Sequence, residues 1–195
     1  MVTVEADEFQ QILDACPDAR WRGMSLVGYY GGLRRGEIVA LQWQDVDFDG
    51  EILHVRNKSD HTTKSSKIRQ VPMDTRIIKA LEALRPGMFR GEYVFRNANG
   101  GQFSHNISAQ FADIVIKAGL FDEVEVDGKV KKKPRYSLHD FRRTCATELL
   151  LSGVDPKSVQ AILGHANITT TIRYYAAVKA QNLKAAIKKR EARTA

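Results

Sequence analysis

Two cysteines are all that the 195 residues contain. Cys16 and Cys145 lie far apart, in neither a C-x-x-C pair nor a zinc-ligand spacing, which argues against a disulfide framework and a structural metal site. That usage fits a reducing, cytosolic setting. The chain also lacks an apolar run near the roughly 20 residues of a bilayer span, and its N-terminus lacks the basic-then-apolar order of a signal peptide. The expectation is a soluble, cytoplasmic protein that is not secreted. No long linker, repeat or low-complexity tract divides the sequence, and its length suits one domain with a substantial core. The charge that is present is unbalanced, with 30 Lys plus Arg against 23 Asp plus Glu, a formal net charge of +7 and a pI near 9.5. Nucleic acid is the leading partner for such a balance.

Apolar spacing then divides the chain into mostly helical segments. Residues 4–16 place Phe9, Ile12, Leu13 and Cys16 on one helical face, and Pro17 ends the pattern. Residues 19–30 repeat the theme with Trp21, Met24, Val27 and Tyr30. Gly31-Gly32 follows, where the backbone can turn sharply and aim Arg34 into a site. Glu37, one turn on, is placed to orient the Arg34 guanidinium through a charge-assisted bond. From Val46 the period shortens to that of strands. Val46-Asp47-Phe48, an Asp49-Gly50 turn, then Ile52, Leu53 and Val55 predict a hairpin, and Ile68 to Met73 a third strand of a small antiparallel sheet. Between them lies the polar segment Asn57 to Lys67, which carries Lys58, Lys64 and Lys67. Asp74 caps a helix running to Leu84, Tyr93-Val94-Phe95 is a short buried segment, and a further helix covers about His105 to Ala118. Residues 123–133 alternate around Asp127-Gly128 as an exposed hairpin with a basic arm, Lys131 to Lys133. The pattern leaves open whether that arm meets DNA backbone or only solvent. The fold class is α+β, mostly helical, with a small antiparallel three-stranded sheet.

The densest chemistry lies between Ser137 and Tyr175. Ser137 with Asp140 three residues on marks a helix start and puts His139 and Arg142 on one side of its first turns, where unpaired N–H groups already favour an anion. Asp155, Pro156 and Gly164 delimit a second short helix with Val159, Ile162 and Leu163 inward. His165 follows immediately, and Asn167 to Thr171 lead into Tyr174 and Tyr175. Taken singly, each feature also suits a capped core helix with solvated polar groups.

In order, however, Gly32-Leu33-Arg34-Arg35-Gly36-Glu37, a lysine ahead of K-x-R-x-V-P, H-x-x-R at 139–142, L-G-H at 163–165 and a tyrosine nine residues later resemble the tyrosine recombinases, the phage integrase family. The resemblance covers nearly the whole chain. It implies the catalytic-domain fold of that family and a site-specific recombinase that cuts and rejoins double-stranded DNA through a 3'-phosphotyrosyl intermediate, with no metal, ATP or other cofactor. Carried over position by position, it puts Arg34, Lys64, His139, Arg142 and His165 around the phosphate, with Tyr174 as nucleophile and Glu37 in support. Lys58 and Lys67 stand as fallbacks for Lys64. Residues 179–195 read as an amphipathic tail helix that docks either on its own domain or on a neighbour's; the resemblance implies the second, since such proteins often pass this element to the adjacent protomer in a DNA-bound ring, and with it a homo-oligomer, a tetramer on DNA. The expected layout is a catalytic domain over residues 1–195 without the family's N-terminal DNA-clamping domain. A type IB topoisomerase, a non-catalytic DNA-binding regulator and a plain helical interaction module are the competing readings.

Overall fold

The computed structural model of the chain describes residues 3–56, 68–85, 92–97, 99–103, 106–174 and 176. Lys64, its fallbacks Lys58 and Lys67, and the tail at 179–195 lie outside them. Among the described residues the helices are α1 (Ala6–Ala15), α2 (Ala19–Gly31), α3 (Arg35–Ala40), α4 (Thr75–Leu84), α5 (Ile107–Lys117), α6 (Leu138–Leu151) and α7 (Pro156–Leu163), and residues 168–174 form a further helical stretch. The strands are β1 (Val46–Asp47), β2 (Ile52–Arg56), β3 (Ile68–Pro72), β4 (Phe121–Val126) and β5 (Lys129–Pro134).

The molecule is built around α2. Its residues are apolar or small on nearly every side, and Trp21, Met24, Leu26, Val27 and Tyr29 are all buried. A helix without a polar face must be covered all round, and α4 and α6 pack against it. Phe141 of α6 is fully buried among aromatic rings, edge-on to Phe9 and Phe111 with centroids 5.2 Å away in each case. Phe9 stacks on Tyr29 at 3.8 Å. Polar contacts hold the segment before α1 to both α6 and α2. The Val4 N–H donates to Thr144 Oγ1 at 3.0 Å, and the Tyr29 hydroxyl donates to the Val4 carbonyl at 3.2 Å.

The predicted three-stranded sheet is present, antiparallel in the order β1-β2-β3, with Val46 opposite Leu53 and Leu53 opposite Val71. The turn between β1 and β2 differs from the expected tight Asp-Gly pair. Four residues, Phe48 to Glu51, connect the strands, and the left-handed position is Glu51 at φ 53° rather than Gly50. Asp47 explains this, because its carboxylate accepts the Gly50 N–H at 2.9 Å and closes a wider turn. At the other end of β2, Arg56 Nε donates to the buried Asp45 carboxylate at 2.8 Å. The hairpin predicted at 123–133 is longer, β4 pairing with β5 from Phe121↔Pro134 to Val126↔Lys129. No helix among the described residues is long and apolar enough to cross a membrane.

Candidate active site

Three chain reversals converge beside the buried side of α6. The first is Gly32, which ends α2 in the left-handed conformation at φ 63°, ψ 25°. A Cβ there would stand 2.4 Å from Leu163 Cδ2 and 3.0 Å from Cys145 Sγ, so only glycine lets α2 end this close to α6 and α7. The second is Gly164, left-handed at φ 65°, where a Cβ would lie 2.9 Å from Arg69 Cδ. The third is Arg34, the residue that caps α3 in an extended conformation, with its N–H donating to Glu37 Oε2 at 2.7 Å.

Arginines link these corners. Arg142, only 3% exposed, donates from Nη1 to the Gly32 carbonyl at 2.7 Å and from Nη2 to the Leu163 carbonyl at 2.5 Å. Arg34 donates from Nη2 to the Gly164 carbonyl at 2.7 Å and from Nη1 to Glu37 Oε1 at 2.8 Å. A guanidinium has five N–H donors, so among the described residues each of these two keeps three for another acceptor. The expected Arg34–Glu37 contact is therefore present, but Glu37 is no surface partner. Its side chain is 8% exposed, and it also accepts both terminal nitrogens of Arg69 at 2.7 Å each. Arg69 completes the seam by donating Nε to the Ile162 carbonyl at 2.8 Å. Burial works against the Glu37 charge, yet the Arg69 and Arg34 bonds outweigh it and hold its pKa below the usual value.

Arg69 carries no local signal in the sequence that marks it as a site residue. The K-x-R-x-V-P pattern contains it, but its partners are 32 and 93 residues away and only the fold brings them together.

With three guanidiniums and one carboxylate, this cluster carries a surplus of positive charge inside the protein. The histidines register it. His165 is half-buried, and burial first, then Arg142, Arg34 and Arg69, push its pKa down to about 4. Its Nδ1 is 2.9 Å from the hydroxyl of the buried Thr171, a partner that the sequence did not single out. His139, exposed near the start of α6, is also held below its usual value, by burial and by Arg143 and Arg142. Both rings are therefore neutral at pH 7. Burial pushes Arg142 down to about 10, still protonated at neutral pH. The predicted start of α6 is confirmed, since Asp140 accepts the Ser137 N–H at 2.9 Å and its hydroxyl at 2.7 Å.

Tyr174 ends the constellation. Its ring stacks on that of His165 with centroids 6.3 Å apart and planes 16° from parallel, and it packs against the buried group Cys145, Leu150, Val159 and Leu163. Cys145 itself is inert, its thiol pushed up to about 12 by burial. The structure thus brings Arg34, Glu37, Arg142, His165 and Tyr174 to one seat with His139 at its rim. Among the described residues no group of three or more His, Cys, Asp or Glu side chains is placed to hold a metal ion.

A buried, positively charged seat beside a tyrosine suits the motif resemblance, and comparison of the whole chain establishes it. The chain belongs to the phage integrase family, whose sequence profile matches residues 3–182. It is 30% identical over 178 residues to the tyrosine recombinase XerC of Xanthomonas axonopodis pv. citri, a match covering 88% of this chain and 52% of that protein. It is 27% identical over 192 residues to transposase A of transposon Tn554 from Staphylococcus aureus, covering 93% of this chain and 50% of that one. The chain thus spans about half the length of the curated relatives it matches. Among solved structures, XerA recombinase superposes with a TM-score of 0.71 at 31% identity, over 90% of this chain and 59% of that one. The Tn1549 transposon integrase in complex with transposon right end DNA gives 0.70 at 23% identity, over 89% and 61%, a likeness of fold.

Proposed function

We propose that this chain is the catalytic part of a site-specific DNA recombinase that breaks and rejoins strands through a phosphotyrosyl intermediate. The observation carrying this reading is the surplus of two positive charges left when three guanidiniums share one carboxylate beside His165 and Tyr174. A phosphodiester would supply the missing negative charge. In the transition state that charge gathers on the non-bridging oxygens, which the free N–H groups of Arg34 and Arg142 are suited to grip as pairs.

The Tyr174 phenolic oxygen attacks phosphorus and the bond to the 5' oxygen breaks. The phenolic proton leaves toward His139, and Lys64 gives a proton to the departing 5' oxygen, which leaves as a hydroxyl. Lys64 is five residues from Arg69, so their Cα atoms are at most about 18 Å apart by chain length alone. Neutral His165 suits a donor role. With the Thr171 hydroxyl donating to Nδ1, the ring carries its proton on Nε2 and can give a hydrogen bond to the phosphate. Attack by a 5' hydroxyl on the phosphotyrosine restores the phosphodiester and frees the phenol, so no external energy source enters. Arg69 and Glu37 act as positioning residues. Assembly of several copies on DNA through residues 179–195 belongs to the same reading.

The test is covalent trapping on nicked duplex DNA that loses its 5' fragment after cleavage. The expected result is a protein–DNA adduct on Tyr174, lost in Tyr174→Phe and reduced at least 100-fold in Arg34→Ala, as for other preorganised charge-stabilising donors. Full adduct yield from Tyr174→Phe, or an adduct mapped to Tyr175, would overturn the nucleophile assignment.

A further inference from the structure

The ribbon β4–β5 stands outside the chemistry proposed above, and its charges are sorted. Residues paired across an antiparallel ribbon share a face. Lys129, Lys131 and Lys133 therefore lie on one face, opposite Val126, Val124 and Asp122. On the other face Lys132, Val130 and Pro134 lie opposite Glu123, Glu125 and Phe121. The Asp122 carboxylate accepts Arg135 Nε at 3.1 Å, so the acidic group on the lysine face already has a cation beside it. Lys132 holds its ammonium 4.3 Å from the centre of the Phe121 ring. One face is thus a row of three exposed ammoniums, while the other carries two carboxylates and one ammonium.

Alternate strand residues are about 6.8 Å apart, so the row is roughly 14 Å long. The ribbon keeps this row unbroken. Six residue pairs run without a bulge to a two-residue turn, Asp127 at φ 54° and Gly128 at φ 70°, the handedness that matches strand twist. It also starts near the seat. Lys133 is six residues ahead of His139, which bounds their Cα separation at about 22 Å, and β5 is packed on α5. A protein partner fits the lysine face poorly, because interface cores are depleted in lysine and enriched in aromatic residues.

From this placement, and resting on the reading that the chain acts on DNA, we propose that the lysine face of β4–β5 binds the phosphate backbone of the duplex held in the seat, through Lys129, Lys131 and Lys133. The contact is to phosphates and reads no sequence.

The experiment titrates the full chain with fluorescent duplex DNA between 50 and 200 mM salt, alongside the variant Lys129→Ala/Lys131→Ala/Lys133→Ala and the opposite-face control Lys132→Ala. Each lost phosphate contact lowers the slope of log affinity against log salt by about 0.9, so the triple variant should lose about 2.7 and its fall in affinity over this range should shrink about 40-fold. Lys132→Ala should match the unaltered chain. An unchanged slope in the triple variant, with its melting temperature intact, overturns the proposal, as does a slope loss in Lys132→Ala equal to that of the triple variant. A change confined to self-association in sedimentation also overturns it, in favour of a second copy as the partner. The trapping assay separates this from the broader reading. If the unaltered chain forms the Tyr174 adduct while the triple variant keeps its salt slope, the ribbon proposal alone fails; if no adduct forms, the recombinase reading has failed.

Discussion

Replacing Arg69 with lysine keeps a positive charge and loses the fork that meets both oxygens of Glu37. Because Glu37 also orients Arg34, Arg69→Lys is expected to slow strand cleavage on the order of 100-fold, the scale of a small misplacement at a reacting centre. DNA affinity should stay nearly constant, and single-turnover cleavage beside a binding titration checks the split. Arg69→Met should also lower stability by about 2 kcal/mol, since the buried Glu37 carboxylate loses two charge-assisted bonds while keeping those from Arg34. Urea denaturation measures that. A second expectation at this scale concerns pH. The folded value of His165, about 4, lies below its ordinary 6.5. As pH falls, the unfolded chain takes up this proton first, so the stability contributed by the neutral ring is whole above about pH 6.5 and is lost between there and pH 4. His139 is shifted in the same direction. The urea midpoint should fall as pH drops from 7 to 4.5, and fall less in His165→Asn. Glu37's link to Arg34 was legible because three residues is one helical turn. Arg69 and Thr171 were not, because their roles arise from contacts that no local spacing encodes.

Among the elements, α6 carries both packing and chemistry, with Phe141 sealed in the aromatic cluster and Arg142 bonded to two carbonyls on other elements. Phe141→Ala should cost about 3–5 kcal/mol, typical of emptying a buried aromatic site, as calorimetry would record. The corner after α7 permits a sharper comparison. Gly153 and Gly164 both have positive φ, but a Cβ at Gly153 meets nothing within 4 Å whereas one at Gly164 presses on Arg69. The two alanine variants should share a similar backbone penalty, and only Gly164→Ala should also depress cleavage, by displacing Arg69. Helix starts and stops are readable because caps and prolines act locally: Asp74 and Asp155 each accept backbone N–H from the helix that follows, and Asp18 does the same before α2 although no pattern in the sequence singled it out. The first hairpin turn departs from the tight Asp-Gly pattern because Asp47 takes the Gly50 N–H.

At the scale of the whole molecule, basic side chains are used in two ways, concealed as a guanidinium cluster at the seat and exposed as lysines on β5. Removing residues 179–195 is expected to impair cleavage by mixed copies, one lacking the nucleophile and the other an arginine, more than it lowers the melting temperature. Complementation assays with calorimetry compare the two. The sequence made the helical architecture, the small sheet and the order of the site motifs legible; it did not reveal that the arginines also fasten corners of the backbone together. The ribbon has one more consequence. Its first and last residues, Phe121 and Pro134, face each other, so its length can change without altering the distance between the ends of α5 and α6. Evolution can extend, trim or exchange this segment as an independent cassette, and an experimenter can place a fluorophore at Asp127 to report the arrival of DNA in real time.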